Sequence, residues 1–212
     1  MEYKQGKLSL FNMDCMDLMK EYPDKYFDLA IVDPPYRNQN ENQPTQDMRN
    51  TGTLKNFGDK PDLEYFKNLF RVSKNQIIWG ANNFTEFLPS NKGFVIYKKK
   101  TITENFTMSM LEYAWVNNEL STVSKWVEIA PQDKYRIHPT QKPISLYSWI
   151  LEKYAKPDFK ILDTHLGSGS HAIACHYFGA EFVASELDSY YFKASIERIK
   201  KETSQLSLFE VV

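Results

Sequence analysis

Apolar runs of five or six residues alternate with amphipathic segments along most of the chain. Three runs, Phe27–Val32, 159–163 and Glu181–Ser185, have the length and the mostly apolar composition of strands buried in a parallel sheet. Segments 144–154 and 187–201 instead repeat apolar residues at helical spacing. Strands that alternate with helices are typical of an α/β fold, so we predict a mixed, mostly parallel sheet with helices on both faces.

Weaker patterns indicate the remaining elements. Residues 117–137 form a short polar segment around Trp126, and residues 1–202 are expected to form one domain, followed by a tail at 203–212. The other predicted elements are strands at 7–11, 76–79, 93–97 and 109–116, helices at 14–22, 63–72 and 170–178, and a helix that opens after a turn at 80–84 and runs to about 88.

Aliphatic side chains nearly vanish between residues 37 and 62, where Asn, Gln, Thr, Asp and Gly dominate. Loops this long in compact domains are either functional lids or disordered segments. We predict a mobile segment that orders over DNA or a cofactor, and disorder without a function carries equal weight.

Composition narrows the function classes. A net charge of -1 over 212 residues gives no overall attraction to nucleic acid, so a DNA-binding surface must be a local basic patch. Cys15 and Cys175 lie in apolar helical contexts, which indicates reduced thiols in a cytoplasmic protein, and they supply no metal site. No apolar run is long enough to span a bilayer, so we expect no membrane association.

The first chemically informative motif is Asp33-Pro34-Pro35-Tyr36, directly after the run Phe27–Val32. Prolines have no N–H and cannot continue a central strand, so the acid and the ring are fixed at the carboxyl edge of the sheet, where ligands of open α/β sheets bind. Asp33 offers an acceptor and Tyr36 a flat face, which together suit the exocyclic amino group of a nucleobase. The structural alternative is a strand-ending turn with a capping Asp.

A second motif follows the apolar run 159–163. The turn 164–170 contains Gly167 and Gly169, and such glycines let the backbone approach a ligand closely. Glu186 follows the next predicted strand, where an acid can bind both ribose hydroxyls of an adenosine. Alone, this half also fits the G-x-G-x-x-A pattern, so an NAD-dependent enzyme stays open as an alternative.

Asp33–Tyr36 resembles the catalytic motif of the amino-methyltransferases that methylate adenine N6 in DNA with S-adenosylmethionine. The segment His138–Pro143 resembles the family's His-Pro-Thr-x-Lys-Pro segment, and the order of segments resembles the permuted class, in which the catalytic motif comes first. The resemblance implies a Rossmann-like methyltransferase fold, S-adenosylmethionine as cofactor and a flipped base in DNA as substrate. It implies Asp33, Pro34 and Tyr36 as catalytic residues, and Asp33, Thr140, Lys142, Asp163, His165, Gly167, Ser168, Gly169 and Glu186 as cofactor-binding residues.

Two alternatives stay open within this resemblance. Cytosine-N4 methylation is a close variant, for which the family more often has Ser at the position of Asp33. The family usually has Asp-Pro-Phe-x-Gly-Ser-Gly-Thr, whereas Thr164, His165 and Ser170 replace Pro, Phe and Thr in this chain. Loss of cofactor affinity through these changes would leave a non-catalytic protein associated with DNA or a clamp.

The family's target-recognition region is reduced here to residues 98–137. The small region predicts a short DNA target, or a homodimer that shares the recognition. Basic side chains in it could contact phosphates, which position a protein without reading sequence. These side chains are Lys98, Lys99, Lys100, Lys125, Lys134 and Arg136.

The tail resembles the pentapeptide by which bacterial replication and repair proteins dock on the DNA polymerase sliding clamp. A flexible tail with Leu and Phe anchors suits a preformed hydrophobic pocket. A tail packed on its own domain is the alternative. The residues expected to dock are Gln205, Leu206, Leu208 and Phe209.

Overall fold

The computed structural model describes residues 1–37, 59–105, 109–131 and 136–204. Most of the predicted mobile loop and all four clamp-docking residues, Gln205, Leu206, Leu208 and Phe209, lie outside the described residues. None of the helices within these ranges is long and apolar enough to cross a membrane.

The described residues form nine strands, five α-helices and a 3-10 turn at Ala81–Asn83. The strands are β1 (Glu2–Gln5), β2 (Leu8–Phe11), β3 (Phe27–Val32), β4 (Ser73–Trp79), β5 (Gly93–Lys99), β6 (Leu111–Val116), β7 (Lys125–Ile129), β8 (Lys160–Asp163) and β9 (Glu181–Ser185). The helices are α1 (Cys15–Lys20), α2 (Leu63–Val72), α3 (Ile144–Tyr154), α4 (Ser170–Phe178) and α5 (Ser189–Thr203).

All nine strands join one sheet in the order β1-β2-β9-β8-β3-β4-β6-β5-β7. The strands from β2 to β4 in this order are parallel neighbours. Strand β6 is antiparallel to both β4 and β5, so β5 points the same way as β4, and β7 is parallel to β5. The sheet is therefore mixed and mostly parallel, as predicted.

Helices cover both faces of this sheet, which confirms the predicted architecture. Side chains of a strand alternate between faces, and in β3 Leu29 and Ile31 belong to one core cluster while Ala30 and Val32 belong to the other. Helices α3, α4 and α5 contribute to the first cluster, and α1 and α2 to the second. Strand β3 is thus buried on both sides, which explains its apolar sequence from Leu29 to Val32.

Two predictions about elements are wrong. The predicted helix that ends near residue 88 is only the 3-10 turn Ala81–Asn83, because Gly80 has φ of +69° and the Asn83 side chain donates to the Gly80 carbonyl at 3.0 Å. The polar segment 117–137 contains strand β7, which among the described strands lies at the sheet edge and pairs with β5 alone. Its Trp126 is 64% exposed, so burial gives this strand no apolar signature.

Helix α2 packs through a cluster of aromatic rings on the segment that follows the 3-10 turn. The Asp62 side chain caps its first turn by accepting from the Tyr65 N–H at 3.1 Å. Phe66 is fully buried, and its ring centroid lies 5.3 Å from those of Phe84 and Phe87. Such ring contacts add to the free energy of burial.

Replacing Phe66 with Ala should therefore remove a buried ring and leave a cavity. We expect Phe66→Ala to lower the free energy of unfolding by about 3–5 kcal/mol. Leu63 begins the same helix and is 48% exposed, so Leu63→Ala should cost about 0.5 kcal/mol or less. Urea denaturation measures both. Similar losses for the two variants would contradict the anchoring role of Phe66.

Candidate active site

A cavity of about 760 Å³ opens at the carboxyl edge of the sheet. Asp163 and Gly169 do not line it, whereas the other residues predicted to bind or act there all do. Those lining residues are Asp33, Pro34, Tyr36, Thr140, Lys142, His165, Gly167, Ser168 and Glu186. The sheet order explains this convergence, because β3, β8 and β9 are consecutive parallel neighbours that end at this edge.

The Asp33 carboxylate is held by two groups. Its Oδ1 accepts from the Tyr36 hydroxyl at 2.6 Å, and its Oδ2 accepts from the Lys142 ammonium. The Tyr36 ring lies against Gly80, since a Cβ added at Gly80 would come within 2.0 Å of that ring. The absence of a side chain at Gly80 is therefore what admits the ring.

Lys142 joins a chain of alternating charges that we name the charge cluster: Lys99, Glu112, Lys142 and Asp33. Glu112 Oε1 lies 2.7 Å from the Lys99 ammonium, and Glu112 Oε2 lies 3.2 Å from that of Lys142. The Lys142 side chain is only 5% exposed, and its ammonium lies 5.2 Å from the Trp79 ring centroid. Lys142, predicted to contact the cofactor, thus contacts two of the chain's own carboxylates.

The charge cluster has a definite electrostatic state. Burial lowers the pKa of Lys142, but Asp33 and Glu112 outweigh burial and raise it well above its usual value. Burial also raises the pKa of Glu112, and here Lys142 and Lys99 prevail and lower it to about 2. Burial raises the pKa of Asp33, Lys142 opposes that rise and Glu112 adds to it. Lys142 is therefore a permanent cation and Glu112 a permanent anion at neutral pH.

Glu186 closes the opposite side of the cavity. Its two carboxylate oxygens accept from the Gly167 N–H at 2.9 Å and the Asp188 N–H at 3.0 Å. It is 9% exposed, and burial raises its pKa to about 7. Each oxygen retains a further lone pair for a hydroxyl donor.

The glycine loop is fixed from behind by Asp163 and by Arg198 and His171, two residues that the sequence analysis missed. Arg198 of α5 donates to the Ser168 carbonyl at 2.9 Å and to the Ser170 hydroxyl at 2.8 Å. Asp163 accepts from the His165 N–H and pairs with His171 Nδ1, each at 2.9 Å. In this structure Asp163 therefore supports the loop rather than facing the cavity.

Two of the three residues that depart from the family pattern, Thr164 and His165, form a hydrogen-bonded group with Tyr65. The Thr164 hydroxyl lies 2.7 Å from the Tyr65 hydroxyl and 2.9 Å from His165 Nδ1. Burial lowers the pKa of His165 to about 4, so the ring is neutral at the cavity wall. A neutral ring can still offer a flat face to a ligand.

The segment His138–Pro143 carries a second neutral histidine. His138 Nδ1 lies 3.1 Å from the Thr140 hydroxyl, and its ring centroid lies 4.4 Å from that of Tyr191. Burial and the nearby Arg136 and Lys142 lower the pKa of His138 to about 3. These contacts give His138 a structural part in shaping the segment.

Comparison with protein families identifies this arrangement. The profile of a family described as DNA methylase, of the N6/N4 type, matches residues 59–197, which is more than half of the chain. The chain belongs to the N6/N4 DNA methylase family. The matched range begins after Asp33–Tyr36, so the catalytic role of that motif does not rest on the profile. Membership replaces the NAD-dependent interpretation of the glycine loop.

A methylase and a type II methyltransferase resemble this chain over most of its length. YubD of Escherichia coli (strain K12) is 26% identical over 208 residues, covering 88% of this chain and 87% of YubD. The type II methyltransferase M.HinfI of Haemophilus influenzae is 21% identical over 244 residues, covering 89% of this chain and 67% of M.HinfI.

Solved structures share the fold. The M1.HpyAVI complex with S-adenosylmethionine has a TM-score of 0.60 at 20% identity, covering 90% of this chain and 99% of that one. The PvuII DNA methyltransferase, which is cytosine-N4-specific, has a TM-score of 0.65 at 11% identity, covering 96% and 94%. These matches confirm the predicted Rossmann-like methyltransferase fold.

The seat of Tyr36 on Gly80 can be tested by adding a methyl group. Gly80→Ala should lower the free energy of unfolding by about 1 kcal/mol for its positive φ and by about 1–3 kcal/mol more for the clash with Tyr36. Gly6→Ala is the matched control, because Gly6 has φ of +57° and nothing within 4 Å of an added Cβ. Chemical denaturation compares the two variants. Equal losses in the free energy of unfolding would mean that the Tyr36 ring can move away from residue 80 without destabilising the protein.

Proposed function

We propose that this N6/N4 methylase transfers a methyl group from S-adenosylmethionine to the exocyclic N6 of an adenine flipped out of DNA. The observation that carries the proposal is the convergence of Asp33, the glycine loop and Glu186 on one cavity. Methyl transfer requires a site for the nucleobase, which Asp33 would supply, next to a site for an adenosine-containing donor, which the glycine loop and Glu186 would supply.

The cavity suits the cofactor in size and in chemistry. Its volume of about 760 Å³ is within the usual range for pockets that enclose a small-molecule ligand. Glu186 would accept from the ribose hydroxyls, and the loop from His165 to Ser168 would pass close to the nucleoside, with Thr140 on the facing segment. When bound, S-adenosylmethionine supplies an activated methyl group on a positively charged sulfur.

Asp33 and Pro34 prepare the acceptor nitrogen. The lone pair of an exocyclic amino group is delocalised into its ring, so the nitrogen is a weak nucleophile. The Asp33 carboxylate and the Pro34 carbonyl would accept hydrogen bonds from its two N–H groups. The lone pair would then be free to attack the methyl group. Burial raises the pKa of Asp33 and Lys142 opposes that rise, and Tyr36 would offer its ring to the base. Catalysis then comes mainly from positioning and electrostatics.

The decisive experiment is transfer of labelled methyl groups from S-adenosylmethionine to unmethylated DNA, with separation of the product nucleosides. We expect the label in N6-methyladenine. Label in N4-methylcytosine, the activity named for the PvuII enzyme, would retain the mechanism and correct the base. Failure of the wild-type protein to bind the cofactor would refute the proposal.

Asp33→Ala tests the catalytic assignment. Loss of the acceptor should lower the transfer rate by about 100-fold or more, while the affinity for S-adenosylhomocysteine, which lacks the positive charge of the donor, changes little. Asp24 is a suitable control, because its side chain is 78% exposed shortly before the same strand, so Asp24→Ala should retain full activity. Single-turnover rates measure both variants. Near-wild-type turnover of Asp33→Ala would exclude the mechanism.

Glu186 makes cofactor affinity depend on pH. Only the ionised carboxylate can accept from both ribose hydroxyls, so affinity should be complete above the pKa of about 7 and be lost as the pH falls through it. The loss should approach about tenfold per pH unit. Calorimetric titration with S-adenosylhomocysteine at several pH values from about 5.5 to about 7.5 measures this affinity. Glu186→Gln should bind more weakly and without this pH dependence, and a pH-independent wild type would remove Glu186 from the ribose role.

A further inference from the structure

Two members of the charge cluster have no part in the proposed function. Methyl transfer uses Asp33, and Lys142 supports it, but the reaction assigns nothing to Glu112 or Lys99. Glu112 lies in β6 and Lys99 ends β5, so both come from the antiparallel part of the sheet. Both nevertheless line the same cavity as Asp33.

The contacts of Glu112 show what it does within the cluster. Its carboxylate lies between two ammonium groups, 2.7 Å from Lys99 and 3.2 Å from Lys142. Its side chain is 23% exposed, and that of Lys99 is 12% exposed. Buried charges are costly unless they are paired, and the alternation from Lys99 to Asp33 gives every charge a partner of opposite sign. Two cations and two anions cancel.

We propose that Glu112 is a positioning residue that anchors Lys142 against Asp33 and, together with Lys99, keeps the charge cluster neutral so that a positively charged methyl donor can bind beside it. The inference deepens the proposed function and rests on it. Transfer to a nitrogen held by Asp33 requires the charged sulfur of the donor close to the cluster. A net positive cluster would repel that sulfur strongly, because the site is poorly solvated.

Removing an anion from the charge cluster and removing a cation from it should change the affinity for S-adenosylmethionine in opposite directions. A purely structural effect would not do so. Glu112→Gln leaves the cluster with one excess positive charge and should weaken binding of S-adenosylmethionine. Lys99→Gln leaves one excess negative charge and should favour it. S-adenosylhomocysteine has the same shape and the same amino-acid charges but lacks the methyl group and the positive charge on sulfur, so it reports every effect except that on the charged sulfur and its methyl group.

The experiment is calorimetric titration of S-adenosylmethionine and S-adenosylhomocysteine into the whole protein and its variants. We expect Glu112→Gln to lower the affinity for S-adenosylmethionine relative to S-adenosylhomocysteine by about tenfold. Lys99→Gln should shift this ratio the opposite way, and the double variant should return it towards the wild-type value.

A matched control lies on β7, the strand beside β5. Glu128 pairs with Lys98 at 3.3 Å, and these side chains are 33% and 45% exposed. Glu128→Gln changes the overall charge as Glu112→Gln does, but neither member of this pair lines the cavity. The ratio of affinities should therefore stay at the wild-type value.

The outcomes are distinct. A ratio that is constant across all variants, or that moves the same way in Glu112→Gln and Lys99→Gln, overturns the inference while the proposed function stands. Thermal unfolding identifies a variant that fails to fold, and if Glu112→Gln does so, the sign of the Lys99→Gln shift decides alone. A wild-type protein that binds neither ligand refutes the proposed function, and the inference falls with it.

Discussion

Strand β3 cannot extend beyond Asp33, because Pro34 and Pro35 have no N–H to offer to a neighbouring strand. The rest of the site depends on this constraint. Strand β3 lies between β8 and β4, so its carboxyl end meets the glycine loop on one side and Gly80 on the other. Strand β8 leads into the glycine loop that lines the cavity, and strand β4 leads into Gly80, against which the Tyr36 ring packs.

Much of the fold could be predicted from the sequence because its central elements are buried. Phe27–Val32, Leu63–Val72, Ile144–Tyr154 and Glu181–Ser185 begin and end at the predicted residues or within two of them. Burial on one or both sides enforces a regular apolar pattern. The edge strands β1 and β7 have no such requirement, and their partly exposed, polar sequences gave no comparable signal.

The site divides in the same way between local and distant information. Asp33, Gly167 and Glu186 belong to short motifs that can be recognised along the chain. The contact between Asp33 and Lys142 spans 109 residues, and it follows from sheet order rather than from any local pattern. Glu112 did leave a trace, as the single acid in the otherwise apolar run Leu111–Val116. What that acid contacts became evident only once β6 was placed beside β4.

The distance in sequence between Asp33 and Lys142 also bears on how the protein is made. Translation delivers β3 and β4 before Lys142. This lysine, which compensates the buried acid, leaves the ribosome 109 residues after Asp33. The glycine loop comes later still. Strand β8 needs β3 as its neighbour, so neither part of the chain can complete the sheet without the other. A chain that stops before β8 therefore lacks both a central strand of the sheet and the glycine loop.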